Sequence, residues 1–212
     1  EKVITNEAVM RIIQQNMALY DKNGEQHYDI ISAFIKSIRG SDPNAGLYWL
    51  ARMLEGGEDA MFIARRLVIL ASEDIGNANP TALVLATNCF QAVNMIGFPE
   101  GRIILAQCVT YLASSPKSNA SYVGINNATD MVRHTGDLPV PLHIRNAPTG
   151  LMDELGYGKD YRYSHSFEGN FEKQEYLPEN ISGTKLYDPG VNARENELRA
   201  YLRKCWGDKY GY

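Results

Sequence analysis

Helix stops and helix starts follow one another so closely in this chain that only stacked helical hairpins fit them. Gly40 is followed by Ser41-Asp42-Pro43 and Gly56-Gly57 by Glu58-Asp59; Asn79-Pro80 comes next, and Gly97 is followed by Pro99-Glu100. Glycine closes a helix because it can leave the helical conformation freely. Serine, aspartate and asparagine oxygens accept from the free N–H groups of the next first turn, where proline loses no bond and acids meet the positive end of the dipole. Between these marks, apolar residues recur three or four apart. They are Ile30, Ile31, Phe34 and Ile38 within 27–38, then Leu47, Leu50, Met53 and Leu54, then Phe62, Ile63, Leu67 and Leu70 in a helix expected to run to about Ser72. An earlier segment, opened by Asn6-Glu7, carries Val9, Ile12, Ile13 and Met17 and fades in the polar turn "YDKNGEQ".

The stretch from Asn79 to Ile96 is apolar on most of its circumference, with Leu83, Val84, Leu85, Ala86, Phe90, Val93 and Ile96 against Asn88, Gln91 and Asn94. Such a helix is either central or covered by another subunit. With the helix that follows to Ser114 it makes a tight hairpin, and a further helix is expected from about Ser118 to His134. After Gly136 the texture changes to Pro, Gly and Tyr. A short helix near 149–155 leads into an extended arm pinned by Tyr157, Tyr161, Tyr163, Phe167, Phe171, Tyr176 and Tyr187, in which a small β-hairpin is expected. A last helix covers 193–206. The fold class is therefore mainly α, a helical-hairpin bundle with an irregular aromatic arm.

The charge balance, 21 Lys and Arg against 25 Asp and Glu, gives −4 and no overall attraction to nucleic acid or an anionic membrane, so any basic patch must be local. Cys89, Cys108 and Cys205 are widely spaced and read as reduced structural thiols of a cytoplasmic protein. No apolar run approaches the ~20 residues of a membrane span. The chain opens on Glu1 and not on methionine, so a segment of a longer protein is expected. A phosphate-cradling GxxxxGK[ST] loop and a GxSxG elbow are both missing, and His27, His134, His143 and His165 lack metal-site spacing. No catalytic, cofactor-binding or metal-binding residue is assigned.

Several positions carry two readings. His27-Tyr28-Asp29 could transfer protons, and an independent enzyme would centre on His27, Asp29 and Arg39; the plainer reading has His27 and Asp29 as acceptors near a helix start. Arg39-Gly40-Ser41 could hold a phosphate at a helix N-terminus, or Arg39 could pair with Asp42 or another acid. Lys36, Arg39, Arg65 and Arg66 could face DNA phosphates, with Lys117 of "SPKSNASY" as a further anion contact; the alternative is a solvated face whose arginines pair with Glu55, Glu58, Glu73 and Asp74. Tyr48 and Trp49, beside Arg52, suit an interface or internal packing. Leu83, Leu85, Phe90 and Val93 are the interface candidates on the apolar helix.

Taken together, "HYDIISAFIKSIRGSDPNAGLYWLARMLEGGED", "IARRLVILASEDIGNANP", "YLASSPKSNASY", "LPVPLHIRNAPTGLMDELGYGKDYRYSH" and "QEYLPENISGTKLYDPG" closely resemble the C-terminal half of the replication-associated recombination protein A family (RarA, or MgsA). Its eukaryotic relatives include the Werner helicase-interacting protein. The resemblance spans about Val9 to Gly190; the stretch from Arg194 to Tyr212 falls outside it and is read as a plain helix and tail. It implies a post-lid helical segment over 1–78, associated with an AAA+ module, and over 79–212 a clamp-loader-collar-like oligomerisation domain assembling a homotetramer, the two parts either separate or packed as one unit; the apolar 79–114 helix pair is the candidate contact. ATP and Mg²⁺ are implied only for the AAA+ module, whose Walker and arginine-finger residues have no counterpart here. The intact protein is implied to be a cytoplasmic, nucleoid-associated, DNA-dependent ATPase of replication-fork maintenance, recombination and repair, with single-stranded DNA-binding protein as a partner and no membrane contact. Direct DNA binding by this region is the alternative.

Overall fold

A computed structural model describes residues 5–7, 9 and 25–212. Ile12, Ile13 and Met17 of the first expected segment, and most of the polar turn after it, lie outside the described residues. The helices that follow are α1 (Glu25–Arg39), α2 (Pro43–Glu55), α3 (Ala60–Leu70), α4 (Thr81–Ile96) and α5 (Gly101–Ala113). Asp42 caps α2, its Oδ1 accepting from the N–H groups of Asn44 at 3.0 Å and Ala45 at 2.9 Å. Asp59 caps α3 in the same way, accepting from Met61 at 3.0 Å and Phe62 at 3.1 Å. Glu58, grouped with Asp59 in the sequence reading as a dipole partner, is instead buried.

The predicted stripes form one core. Ile30, Phe34, Ile38, Leu50, Met53, Ile63, Leu67 and Leu70 are buried together with Leu105, Val109 and Leu112 of α5. Each such side chain contributes about 1.5–3 kcal/mol by leaving water. A Cβ on Gly46 would sit 3.0 Å from Val109 Cγ1 and 3.3 Å from Ile38 Cγ1, so the missing side chain sets how closely α2 meets α1 and α5. On α4 the small residues Ala82, Ala86 and Cys89 face inward with Val93, which lets α5 lie close against it.

The helix expected to reach Ser72 ends at Leu70 and widens into a π turn, Ala71–Ile75. Such turns insert an extra residue per turn and occur often where a side chain must be redirected. Gly76 then takes a φ of +48°, with the Ser118 carbonyl oxygen 3.1 Å from where a Cβ would stand.

The chain divides into two compact units, 1–119 and 120–212. Within the first unit α4 packs directly on α3 and on the π turn, so the expected 1–78 segment and the start of the 79–212 region, read as parts that could pack together, are in contact there. The second unit holds α6 (Ala120–Thr135), α7 (Gly150–Glu154) and α8 (Ala193–Tyr210). Between α7 and α8 the arm makes 3-10 turns at Ser164–Ser166, Glu168–Asn170 and Glu179–Ile181. The expected β-hairpin is not formed; no strand occurs among the described residues. Left-handed residues at Gly158, Asp160, Gly169 and Asn170 break the backbone of the arm before Phe171. Side chains satisfy the backbone instead of a ladder: Gln174 donates to the Arg162 carbonyl at 2.7 Å, and a His143 ring nitrogen lies 2.7 Å from that of Glu175.

The arm is tied to α8 around Trp206, whose ring lies 5.1 Å from Phe171, 5.7 Å from Tyr210 and 6.2 Å from Tyr176. Glu195 is wholly buried in the first turn of α8: its N–H donates to the N-cap Asn192 Oδ1 at 3.0 Å, and its carboxylate accepts from Asn192 Nδ2 at 2.5 Å. Among the described residues no helix is long and apolar enough to cross a membrane.

Candidate functional site

Three polar stretches far apart in the sequence meet at one corner of the first unit. Arg39, at the end of α1, donates from Nε to Asp74 Oδ1 at 2.5 Å and from Nη2 to Glu73 at 3.3 Å. The Ser118 N–H reaches the Asp74 carbonyl at 2.8 Å. Lys117 folds back over the open end of α5, where its ammonium donates to the carbonyls of Leu112 and Ala113 at 3.0 Å and Ser115 at 2.6 Å, and to Ser41 Oγ at 3.0 Å. Four last-turn carbonyls of any helix need such partners. Burial lowers the Lys117 pKa, and the nearby Asp74 carboxylate works in the opposite direction. Asp74 Oδ2 is buried with no hydrogen-bond partner.

The corner therefore spends its cations internally. Arg39 pairs with Glu73 and Asp74 and not with Asp42, and Arg65 reaches Asp59 at 3.4 Å. Arg66 is half-buried with an unpartnered Nε, and Lys36 is exposed without an ion-pair partner among the described residues. The five proposed phosphate contacts are thus not one array of free charges.

His27 and Arg39 sit twelve residues apart on α1, about 18 Å at the helical rise. His27 Nδ1 lies 2.8 Å from Glu58 Oε2 with Phe62 beside the ring at 5.6 Å. Asp29 is exposed. The structure gives these three residues no common pocket, and no group of three or more potential metal ligands occurs among the described residues.

The apolar surface is better organised. A groove of about 470 Å³ runs between α4 and α5, lined by Val84, Leu85, Asn88, Ala92, Ile104 and Gln107, with Cys89 and Cys108 at its floor. Val84 and Ile103 are each 59% exposed, and Met95 is 82% exposed. A second groove of about 490 Å³ lies between α2 and the start of α5, where Leu47, Leu54, Phe98 and Ala106 meet Glu55 and Arg102.

Of the interface candidates, Leu83 and Tyr48 are exposed, whereas Leu85, Phe90 and Trp49 are half-buried against the core and Val93 is buried within it. Tyr48 stacks edge-on against Trp49 at 5.0 Å, and Arg52 lies over Trp49 at 5.5 Å. Ile103 was not singled out from the sequence. No local signal in the sequence finds it: which side of α5 stays bare is set by its packing on α4.

The two family models that match this helical chain are both those of C-terminal parts of AAA+ ATPases. Residues 1–39 match the family described as AAA C-terminal domain. Residues 40–206 match the MgsA AAA+ ATPase C-terminal family, and the chain belongs to it. It is 47% identical over 206 residues to replication-associated recombination protein A of Coxiella burnetii, covering 95% of this chain and 47% of that protein. The protein of the same name in Escherichia coli is 41% identical over 206 residues, covering 95% and 46%. The ATPase WRNIP1 of Dictyostelium discoideum is 44% identical over 200 residues, covering 91% and 23%. The chain thus spans about half the length of the two bacterial relatives.

Proposed function

We propose that this region holds copies of a replication-associated AAA+ ATPase together, with the α4–α5 groove as the principal contact and a homotetramer as the assembled state. The observation that carries the reading is the groove itself: apolar side chains on two adjoining helices remain exposed after the core has closed. Apolar area of this kind gains about 25 cal/mol per Å² when covered. A second, differently shaped groove on the same unit suits head-to-tail contacts, which need two unlike surfaces and close into rings. ATP binding and hydrolysis then belong to an AAA+ module, and this region keeps the modules associated through each nucleotide cycle. The names of the relatives point to replication and recombination, and we extend that role, with DNA as the substrate and single-stranded DNA-binding protein as a partner, to the intact protein.

Sedimentation equilibrium tests the assembly. The expected mass is four times the 23.7 kDa of the chain, and Val84→Asp, at an exposed position of the groove lining, is expected to give monomer with an unchanged helical spectrum. A monomer from the unaltered chain at micromolar concentration overturns the proposal.

A further inference from the structure

We propose that Cys89 and Cys108 form a reversible disulfide at the floor of the α4–α5 groove, made by a hydroperoxide entering the groove and broken by thiols. In a part that rests on the self-association reading, a second copy seated in the groove shields the pair.

Geometry carries the first part. The Cys89 sulfur lies 3.7 Å from the Ile104 carbonyl oxygen. Ile104 and Cys108 are one turn apart on α5, so the Cys89 side chain enters the gap between them. Both cysteine side chains line the same groove, one from each helix. A disulfide needs its Cα atoms about 5.5–6 Å apart. Cys89 shares the inward face of α4 with the small residues Ala82 and Ala86, which let the two helices lie close. Cys205 lies in the other unit and serves as an internal control.

The chemistry divides between the two sulfurs. The neighbouring Cys108 lowers the Cys89 pKa against the opposing effect of burial, whereas Cys89 and burial together raise that of Cys108. Thiolate is the reactive form, so Cys89 attacks first. Its sulfur bonds to one peroxide oxygen, the O–O bond breaks, and the departing hydroxide leaves as water after taking a proton, giving a sulfenic acid on Cys89. The Cys108 sulfur then attacks the Cys89 sulfur, loses its own proton, and expels the second water. Two thiols and one hydrogen peroxide become one disulfide and two waters; sulfur is oxidised and the peroxide oxygens are reduced.

The test treats the chain with hydrogen peroxide at one concentration where it is dispersed and one where it is assembled, then blocks free thiols and maps peptides by mass spectrometry. In the dispersed sample the expected result is loss of two of the three thiols, a Cys89–Cys108 cross-link reversed by dithiothreitol, and no cross-link in Cys89→Ser or Cys108→Ser. The assembled sample is expected to react several-fold more slowly. Sulfinic acid on Cys89 beside an untouched Cys108, or a cross-link that forms only after denaturation, overturns the disulfide and leaves the self-association reading standing. Equal rates in the two samples leave the disulfide standing and overturn the shielding, and with it the groove as the contact surface. The wild-type map decides these outcomes even where a serine variant fails to fold.

Discussion

Arg39 Nε stands 2.5 Å from Asp74 Oδ1, tying the last turn of α1 to the π turn after α3. The Asp74 side chain is only 9% exposed while that of Arg39 is 45% exposed, so the two partners stand to lose differently. Arg39→Gln leaves a buried carboxylate without its cation and is expected to cost about 1–3 kcal/mol. Adding Asp74→Asn is expected to recover part of that loss, because neighbours in one ion pair are not additive. Urea unfolding of both single variants and the double variant checks this; a double-variant loss equal to the sum of the two single losses would show that the pair is not coupled.

Lys117→Met removes four donor contacts and strands the carbonyls at the end of α5. The expected loss is about 1–3 kcal/mol, the cost of buried acceptors left without partners. It is read as a lower urea midpoint and as faster amide exchange in the last turn of α5.

In the second unit, burial pushes the Glu175 carboxyl up, but Lys209, Ser182 and the Leu177 N–H outweigh it and hold the pKa at about 2, against an ordinary 4.5. Lys209 lies 2.7 Å from Glu175 Oε1. Because the folded value is the lower one, the stabilisation is fully present above about 4.5 and is lost as the pH falls toward about 2, where the unfolded chain binds more protons. Glu175→Gln is expected to flatten the pH dependence of the unfolding midpoint over that window. An unchanged slope would mean that other carboxylates govern acid stability.

Gly46→Leu drives a branched side chain into the place where Val109 and Ile38 already stand 3.0 and 3.3 Å from an added Cβ. Overpacking of this kind is expected to cost about 1–3 kcal/mol or more. Thermal unfolding measures it, and Gly150→Leu, at an exposed position where an added Cβ meets nothing within 4 Å, is the surface comparison.

What could be read without coordinates was mostly local. Asp42, Pro43, Asp59 and Gly97 act within a few residues of themselves, and each falls at the helix end that its chemistry demands. The π turn was not readable, since Ser72, Glu73 and Asp74 continue α3 plausibly and only the distant Arg39 rewards the wider turn. Lys117 illustrates the same limit: its partner Ser41 lies 76 residues away. On α4 the difficulty was different. A helix apolar on nearly every side does not declare which side turns inward, so Val93 and Leu83 looked alike although one is core and the other surface. In the arm, aromatic content announced order correctly but suggested strands where side-chain to backbone bonds took over. The plain helix expected near the C-terminus concealed the buried Glu195, whose spacing from the N-cap Asn192 is visible only once the helix start is known.

The chain has two tryptophans, and the fold gives one to each unit. Trp49 lies beside Tyr48 and Arg52, and Trp206 sits amid the aromatic rings that fasten the arm. Replacing either with phenylalanine therefore leaves an intrinsic fluorophore that reports a single half of the molecule, so that melting of the two halves can be followed separately by emission wavelength without attaching any dye.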